Sequence, residues 1–156
     1  YIWQALRLSL SFIMLWAFFD KLLGLGFATT PDKSWFSGMS PTTRFLKSAP
    51  DGIFAPLFNS LAGNPIIDIL FMAGLFLVGI CLLLGIGVRI ACYAGSLMMF
   101  LIYLSLFPPE NNPIIDEHII YIIIFLGLSV GIKAQKFGLS EKWSKIPLVK
   151  KYPILK

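Results

Sequence analysis

Long runs of apolar residues, separated by short polar segments, make up most of the chain. The runs cover Ala5–Phe27, Pro65–Gly87, Ile90–Phe107 and Pro113–Ile132. Each is close to the ~20 helical residues that cross about 30 Å of hydrocarbon. Since backbone groups in lipid must find hydrogen-bond partners within their own segment, each run is predicted to form a helix. The pattern therefore indicates an all-α integral membrane protein, built as a bundle of four transmembrane helices.

The composition agrees with a membrane protein. Of the 156 residues, 57% are hydrophobic and 13% are charged, whereas a soluble domain carries about 25% charged residues. The length suits a single compact domain, with residues 1–132 as the membrane domain and residues 133–156 as a tail. The net charge of +5 does not indicate nucleic acid, because the basic residues cluster at the ends of the apolar runs.

The distribution of basic residues predicts the orientation of the bundle. Nine lysines and arginines lie in the N-terminal stretch, in the turn between the second and third runs, and in the tail. The opposite side carries three, or four when Lys21 is counted. By the positive-inside rule, both termini are expected in the cytoplasm. The tail mixes lysines with residues such as Trp143 and Leu148, as expected for a basic amphipathic segment on an anionic inner leaflet.

The external loop between the first two runs, residues 28–64, is long and rich in aromatic residues. Ser40 and Pro41 predict the N-cap and first position of a short helix that continues through Lys47. A second short helix is expected over Phe54–Leu61. We expect the loop to fold over the outer end of the bundle as a lid. The alternative is a pair of interfacial helices that only seal the bundle.

The second external loop leads into the last predicted helix. Asn112 as N-cap and Pro113 at the first helical position would start that helix. Asp116 and Glu117 then lie in its first turn, where the helix dipole favours anions. A capping role is the preferred interpretation of Glu117.

Ionisable residues inside the apolar runs are the main indication of function. Asp20 and Lys21 lie late in the first run, Asp68 lies early in the second, and Asp116 and His118 open the last. A charge at membrane depth is costly and usually marks a pathway or a binding site. Because successive helices alternate in direction, these groups are all expected near the outer membrane face.

The sequence contains partners for each of these charges. The candidate pairs are Asp68 or Asp116 with Lys21, and Arg44, Lys47 or His118 with Asp20. Pairing removes much of the penalty of burying a charge, although it need not add net stability. Two interpretations therefore stay open, a structural salt-bridge network and a ligand site.

His118 is the only histidine in the sequence, which excludes a haem held between two histidines of this chain and a histidine-rich metal site. The sequence has no CxxCH, P-loop or GxGxxG motif, and we find no haem, flavin or metal motif. His118 suits proton exchange with a quinone near neutral pH, and Tyr121, at i+3, would hydrogen-bond the same ligand. The alternative is a histidine satisfied by Asp116 or Asp20.

Two smaller patterns have structural interpretations. Cys81 and Cys92 are expected to be reduced thiols that pack as small apolar residues. Gly127 and Gly131 form a GxxxG pair, which permits close approach of helices. We expect that pair to act within the bundle rather than between copies of the chain.

Several segments resemble the DoxX/DoxD family of membrane proteins. They are Trp16–Leu22, Gly26–Thr29, Ser40–Thr43 and Leu84–Ile90. The most specific similarity is Leu106–Pro113, which reads LFPPENNP, running into Asp116–Tyr121, which reads DEHIIY. The similarity extends over nearly the whole chain and is greatest to the DoxD-like branch, a subunit of thiosulfate:quinone oxidoreductase.

The resemblance implies a multi-pass subunit of a prokaryotic cell membrane that works with quinone and a sulfur compound. In that enzyme class thiosulfate is oxidised to tetrathionate, the electrons pass to membrane quinone, and a smaller DoxA-type partner takes part. The expected partners are thus membrane lipid, quinone and a second subunit. A second function stays open, that of a non-catalytic accessory or anchor subunit in a respiratory or redox complex. A third is a protein that binds lipid or another small molecule.

The residues expected to form the site fall into two groups. For the chemistry we expect Asp20, Lys21, Asp116 and His118. For binding we expect Arg44, Lys47, Asp68 and Tyr121. Lys21, Arg44 and Lys47 would attract a small dianion such as thiosulfate.

Overall fold

The computed structural model describes residues 1–50, 52–109, 112, 114–131 and 138–155. The predictions that involve residues 110–111, Pro113, residues 132–137 and Lys156 fall outside these residues. The regular secondary structure of the described residues is helical.

Four helices form the body of the protein. They are α1 (Ile2–Leu23), α4 (Pro65–Leu84), α5 (Val88–Ser105) and α6 (Glu117–Val130). By length and composition, α1, α4 and α5 can each cross a membrane. The described part of α6 has 14 residues and rises about 21 Å, which is less than a full span. The predicted all-α fold class is thus confirmed, and by length and composition three of the four predicted membrane-spanning helices are confirmed as well.

Short helices occupy the first loop and the tail. They are α2 (Thr43–Ser48) and α3 (Ala55–Ser60) in the loop, and α7 (Ser140–Ser144) and α8 (Pro147–Lys151) in the tail. Single 3-10 turns cover Pro31–Lys33 and Pro153–Leu155.

The four long helices pack in sequence around one apolar core. α4 contacts both α1 and α5, and α5 contacts α6. The most deeply buried core residues are Leu10, Met14, Met72, Val78, Leu82, Cys92, Phe125 and Leu128. Cys81 and Cys92 are free thiols, as predicted. Many large apolar side chains, such as Phe12 and Leu97, remain exposed on the outer faces, which is typical of a surface that lipid covers.

Glycines allow the helices to approach one another closely. A Cβ at Gly79 in α4 would lie 2.7 Å from Cγ of Leu15 in α1, and the Ser11 hydroxyl donates to the Gly79 carbonyl at 2.8 Å. A Cβ at Gly95 in α5 would lie 2.7 Å from the ring of Phe125 in α6. Any larger side chain at either glycine would push the helices apart.

The two ends of the bundle differ in what connects the helices. At the turn end, Gly85, Ile86 and Gly87 join α4 to α5, and both glycines adopt left-handed backbone conformations, with φ of 72° and 56°. Residues 24–64 join α1 to α4 at the opposite, loop end, and residues 106–116 join α5 to α6 there as well.

The start of α1 and Leu139 of the tail both lie at the turn end. The indole of Trp3 in α1 lies against Gly127 and Gly131 of α6. In the tail, the backbone N–H of Leu139 donates to the carbonyl of Leu84, the last residue of α4. The GxxxG pair therefore packs within the bundle, as predicted, and it accommodates the indole of a neighbouring helix.

Two long helices begin or end elsewhere than predicted. α1 stops at Leu23 rather than continuing to Phe27, because Gly24 takes a left-handed conformation with φ of 70° and donates to the Asp20 carbonyl. α6 begins at Glu117, so the expected start at Asn112 is wrong. The Asn112 side chain instead accepts from the backbone of Ile114, which closes a turn in the loop.

The predicted helices of the first loop are both present. α2 begins at Thr43, two residues later than the Ser40-Pro41 pattern indicated, yet the Ser40 hydroxyl still accepts from the Thr43 N–H at 3.0 Å. α3 lies inside the predicted range and begins with Pro56 near its N-terminus.

Candidate functional site at the loop end

Asp20 holds the chain where it leaves α1. Its side chain is 1% exposed, and its two carboxylate oxygens accept from the backbone N–H groups of Phe27 and Ala28 at 3.2 and 3.1 Å. A carboxylate that accepts backbone N–H groups can be buried without a cation. Asp20 therefore has a structural role at the start of the first loop.

Lys21 follows Asp20 but makes a different contact. Its backbone carbonyl accepts from the N–H of Trp35, and the Leu22 carbonyl accepts from Phe36 at 3.0 Å. These bonds provide donors for two carbonyls at the end of α1 that have no partner within the helix. Within the described residues, the Lys21 ammonium forms no ion pair with Asp68 or Asp116, so both expected pairings are absent.

Asp68, in the first turn of α4, fastens the loop to the bundle. Oδ1 of this buried residue accepts from the hydroxyls of Ser40 and Thr42 at 2.8 and 2.5 Å, and from the Thr42 N–H at 3.3 Å. The Ser40 hydroxyl also accepts from the Thr43 hydroxyl at 2.7 Å. Ser40 and Thr42 thus provide the hydrogen-bond donors for the Asp68 carboxylate. This role of the Ser40–Thr43 segment was not predicted from the sequence.

The first loop folds over the loop end of the bundle. Trp35 packs against the core, and Leu46 and Phe58 are buried. Farther along, Gly52 lies so close to Phe107 that a Cβ would overlap its carbonyl. The loop therefore reaches from α1 to the end of α5, which both the lid and the sealing interpretation predict, and residues 28–64 are called the lid below.

The basic residues of the lid point away from the core. Arg44 and Lys47 are exposed on α2, as is Lys33 in the 3-10 turn. In the same turn, a hydrogen bond from Thr30 lowers the pKa of the exposed Asp32 below its ordinary value. The loop end thus offers several cations to solvent, beside an acid that stays ionised.

Asp116 and His118 form a pair at the start of α6. Oδ1 of Asp116 caps the helix by accepting from the N–H groups of His118 and Ile119 at 3.0 and 3.2 Å. Oδ2 lies 2.7 Å from Nδ1 of His118. Both side chains are largely buried, with 11% and 15% exposure. One carboxylate therefore serves as helix cap and as partner of the only histidine.

The surroundings of this pair come from α5 and α6. The phenol of Tyr103, near the end of α5, donates to the Ile114 carbonyl at 2.7 Å and so fixes the segment that precedes the pair. Tyr121 is partly buried against the core one turn after His118. Tyr103 was not anticipated from the sequence, because its partner is a backbone carbonyl in a loop.

The ligand atoms of Asp116, Glu117 and His118 lie within 4.8 Å of one another, a spacing compatible with a metal ion. Both oxygens of Asp116 are already engaged in hydrogen bonds. A metal ion would have to displace the histidine or the helix cap, so these contacts favour the hydrogen-bonded pair.

The acidic residues thus belong to three local structures at the same end of the bundle. Asp20 holds the start of the loop, Asp68 holds Ser40 and Thr42, and Asp116 holds His118. For His118, the anticipated contact with Asp116 is present. For Asp20, backbone donors take the place of the expected cation.

Comparisons with protein-family models, curated proteins and solved structures gave no match to the chain.

Proposed function

We propose that the chain is a quinone-linked membrane subunit of thiosulfate:quinone type, in which His118 exchanges protons with the quinone. The observation that supports the proposal is the 2.7 Å contact between His118 Nδ1 and Asp116 Oδ2. A carboxylate at Nδ1 favours the tautomer with its proton on that nitrogen, which leaves Nε2 to accept or donate the exchanged proton.

In this proposal the redox step balances between two substrates. Two thiosulfate ions join through a new S–S bond to form tetrathionate and release two electrons. The quinone takes up those two electrons and two protons and becomes quinol. His118 delivers a proton to a quinone oxygen, and Tyr121 donates a hydrogen bond to the same ring. Lys21, Arg44 and Lys47 attract the thiosulfate dianion from the loop side.

The location of the pair suits a substrate that enters from lipid. His118 and Tyr121 lie in the first turns of an apolar helix whose outer face exposes Ile120 and Ile123. A hydrophobic quinone would reach them between the helices without leaving the membrane.

The proposed topology has four spans with both termini in the cytoplasm of a prokaryotic cell membrane. α6 begins beside Ile114 at the loop end and reaches Trp3 at the turn end, so its packing follows the bundle from one end to the other. The excess of basic residues in the N-terminal stretch, the α4–α5 turn and the tail supports a cytoplasmic turn end.

Substitution of Asp116 by Asn tests the role of the pair. Asn caps helices about as well as Asp, so Asp116→Asn keeps the cap but removes the charge beside His118. In membranes that contain the chain and its partner subunit, thiosulfate-dependent reduction of a quinone analogue is expected to fall at least tenfold in Asp116→Asn and in His118→Gln.

The matched control is Glu117→Gln, which removes a neighbouring exposed carboxylate and should leave turnover unchanged. Thermal unfolding of each purified variant distinguishes lost chemistry from lost folding. Full turnover in folded His118→Gln would exclude the proposed proton exchange.

A non-catalytic accessory or anchor subunit is the second candidate. The observation that favours it is the use of Asp20 and Asp68, two of the expected site residues, to hold the loop. This function predicts stoichiometric purification with a larger redox complex. It also predicts full activity of that complex when it carries His118→Gln.

A further inference from the structure

The tail is folded against the turn end of the bundle. The Leu139 N–H donates to the carbonyl of Leu84 at 2.8 Å, and the indole N–H of Trp143 donates to the Leu155 carbonyl at 2.5 Å. Val149 in α8 is 1% exposed, and the 3-10 turn at Pro153–Leu155 contacts α5. These contacts hold residues 138–155 in one place rather than leaving them as a free extension.

This attachment sets the depth of the tail relative to a membrane. α4 has 20 residues and rises about 30 Å, which matches the thickness of the hydrocarbon layer. Leu84 is its last residue, so in a membrane that α4 spans, the backbone of Leu139 would lie at the level where hydrocarbon gives way to headgroups. The folded tail would then lie in the interfacial layer at the turn end.

The surface of the tail combines apolar and basic side chains. Its exposed apolar residues are Leu139, Ile146, Leu148, Tyr152 and Ile154. Its exposed basic residues are Lys142, Lys145, Lys150 and Lys151, and the sole acidic residue of segment 138–155 is Glu141. Apolar side chains that enter the interface, together with lysines that meet negative headgroups, are typical of a surface that binds anionic lipid.

We infer that the folded tail, residues 138–155, is a binding surface for anionic phospholipid headgroups on the leaflet at the turn end. The occupant is lipid rather than a soluble partner for two reasons. The tail is hydrogen-bonded to the end of α4, a helix of membrane-spanning length, and its lysines complement a negatively charged leaflet. The inference does not depend on the proposed redox chemistry, which concerns the opposite end of the bundle.

Native mass spectrometry of the full chain, purified in mild detergent with equal phosphatidylglycerol and phosphatidylcholine, tests the inference. The wild-type chain is expected to retain phosphatidylglycerol in preference to phosphatidylcholine. Each interfacial lysine contributes about fivefold in affinity for anionic lipid. In the triple variant Lys142→Gln, Lys145→Gln, Lys150→Gln, the preference for phosphatidylglycerol over phosphatidylcholine is therefore expected to fall at least tenfold.

The matched control removes the same number of exposed basic residues from the loop end, as Lys33→Gln, Arg44→Gln, Lys47→Gln. It is expected to keep the preference of the wild-type chain. Equal retention by the wild-type chain and the tail variant would overturn the inference, and so would equal losses in the two triple variants. All six substitutions are at exposed positions, so both variants are expected to fold, and their melting temperatures are the check.

A second measurement uses Leu148, which is 58% exposed in the tail. Leu148→Glu adds an acidic group at the surface without removing a lysine, and is expected to weaken phosphatidylglycerol retention. Leu57→Glu is the control, since Leu57 is 59% exposed in the lid. An unchanged lipid preference in Leu148→Glu would contradict insertion of this surface into the interface.

Discussion

Trp3 in the first turn of α1 lies so close to α6 that a Cβ at Gly127 would stand 3.1 Å from its indole. At Gly131 the same construction gives 3.4 Å, an ordinary van der Waals distance. The contact therefore joins the first and the last of the four long helices at the turn end.

Substitution of Gly127 by Val is expected to destabilise the protein, because the added methyl groups meet the indole of Trp3. Overpacking of this kind costs about 1–3 kcal/mol, which lowers the melting temperature in detergent. Gly131→Ala is the control and should have little effect. Combining Gly127→Val with Trp3→Ala should recover part of the loss, and a melting temperature of Gly127→Val equal to wild type would contradict the packing.

Gly95 and Phe125 provide the equivalent test between α5 and α6. A Cβ at Gly95 would lie 2.7 Å from a ring that is fully buried, so even Gly95→Ala is expected to cost about 1–3 kcal/mol. In the double variant with Phe125→Leu, the smaller side chain leaves room for the new methyl group. The free energy of unfolding is measured for the wild type, the two single variants and the double variant. The double variant should lose less stability than the sum of the two single losses, and a loss equal to that sum would contradict the contact.

Asp20 and Asp68 should respond differently to replacement by Asn. Both oxygens of Asp20 accept from backbone N–H groups. In Asp20→Asn the amide NH₂ faces one of these N–H donors, which is expected to lower the free energy of unfolding by about 1.5–3 kcal/mol. Asp68 accepts through Oδ1, which the Asn oxygen can replace, so a cost below about 1.5 kcal/mol is expected.

Melting temperatures of the two variants check this order directly. Asp68→Ala, which removes the acceptor for both hydroxyls, serves as the positive control. Greater damage from Asp68→Asn than from Asp20→Asn would refute the assigned hydrogen bonds.

The proposed orientation predicts which side of the membrane each end faces. Ser48→Cys at the loop end should react with an impermeant maleimide added to intact cells, and Lys145→Cys in the tail should react only after the cells are opened. Both positions are exposed, so equal access to solvent makes them a matched pair. Labelling of Lys145→Cys in intact cells would contradict the proposed cytoplasmic location of the tail.

Much of the helical fold was predictable from local sequence. Apolar runs of membrane-spanning length gave the positions of α1, α4 and α5, because hydropathy reports where a helix can meet lipid. The two short helices of the first loop followed from Ser-Pro and glycine patterns. For His118, the alternative interpretation named Asp116 or Asp20 as its partner, and the structure shows Asp116, the N-cap of the same helix.

Boundaries were predicted less well where two local signals competed. Asn112 and Asp116 are both good N-caps, and the sequence pattern favoured the former because a proline follows it. In the structure Asn112 closes a turn, and Asp116 caps α6. Gly24 ended α1 inside an apolar run that continues to Phe27, because hydropathy does not register a change of backbone conformation.

What the sequence determined by itself was which residues are too polar for lipid and therefore need partners. Only the tertiary structure decided which partners they have. Asp20 accepts hydrogen bonds from the backbone of a loop that folds back beside it. Asp68 accepts hydrogen bonds from hydroxyls 26 and 28 residues away in the sequence. The physical reason is that a buried carboxylate can be satisfied by a cation, a hydroxyl or a peptide N–H, and chain folding decides which donor comes within reach.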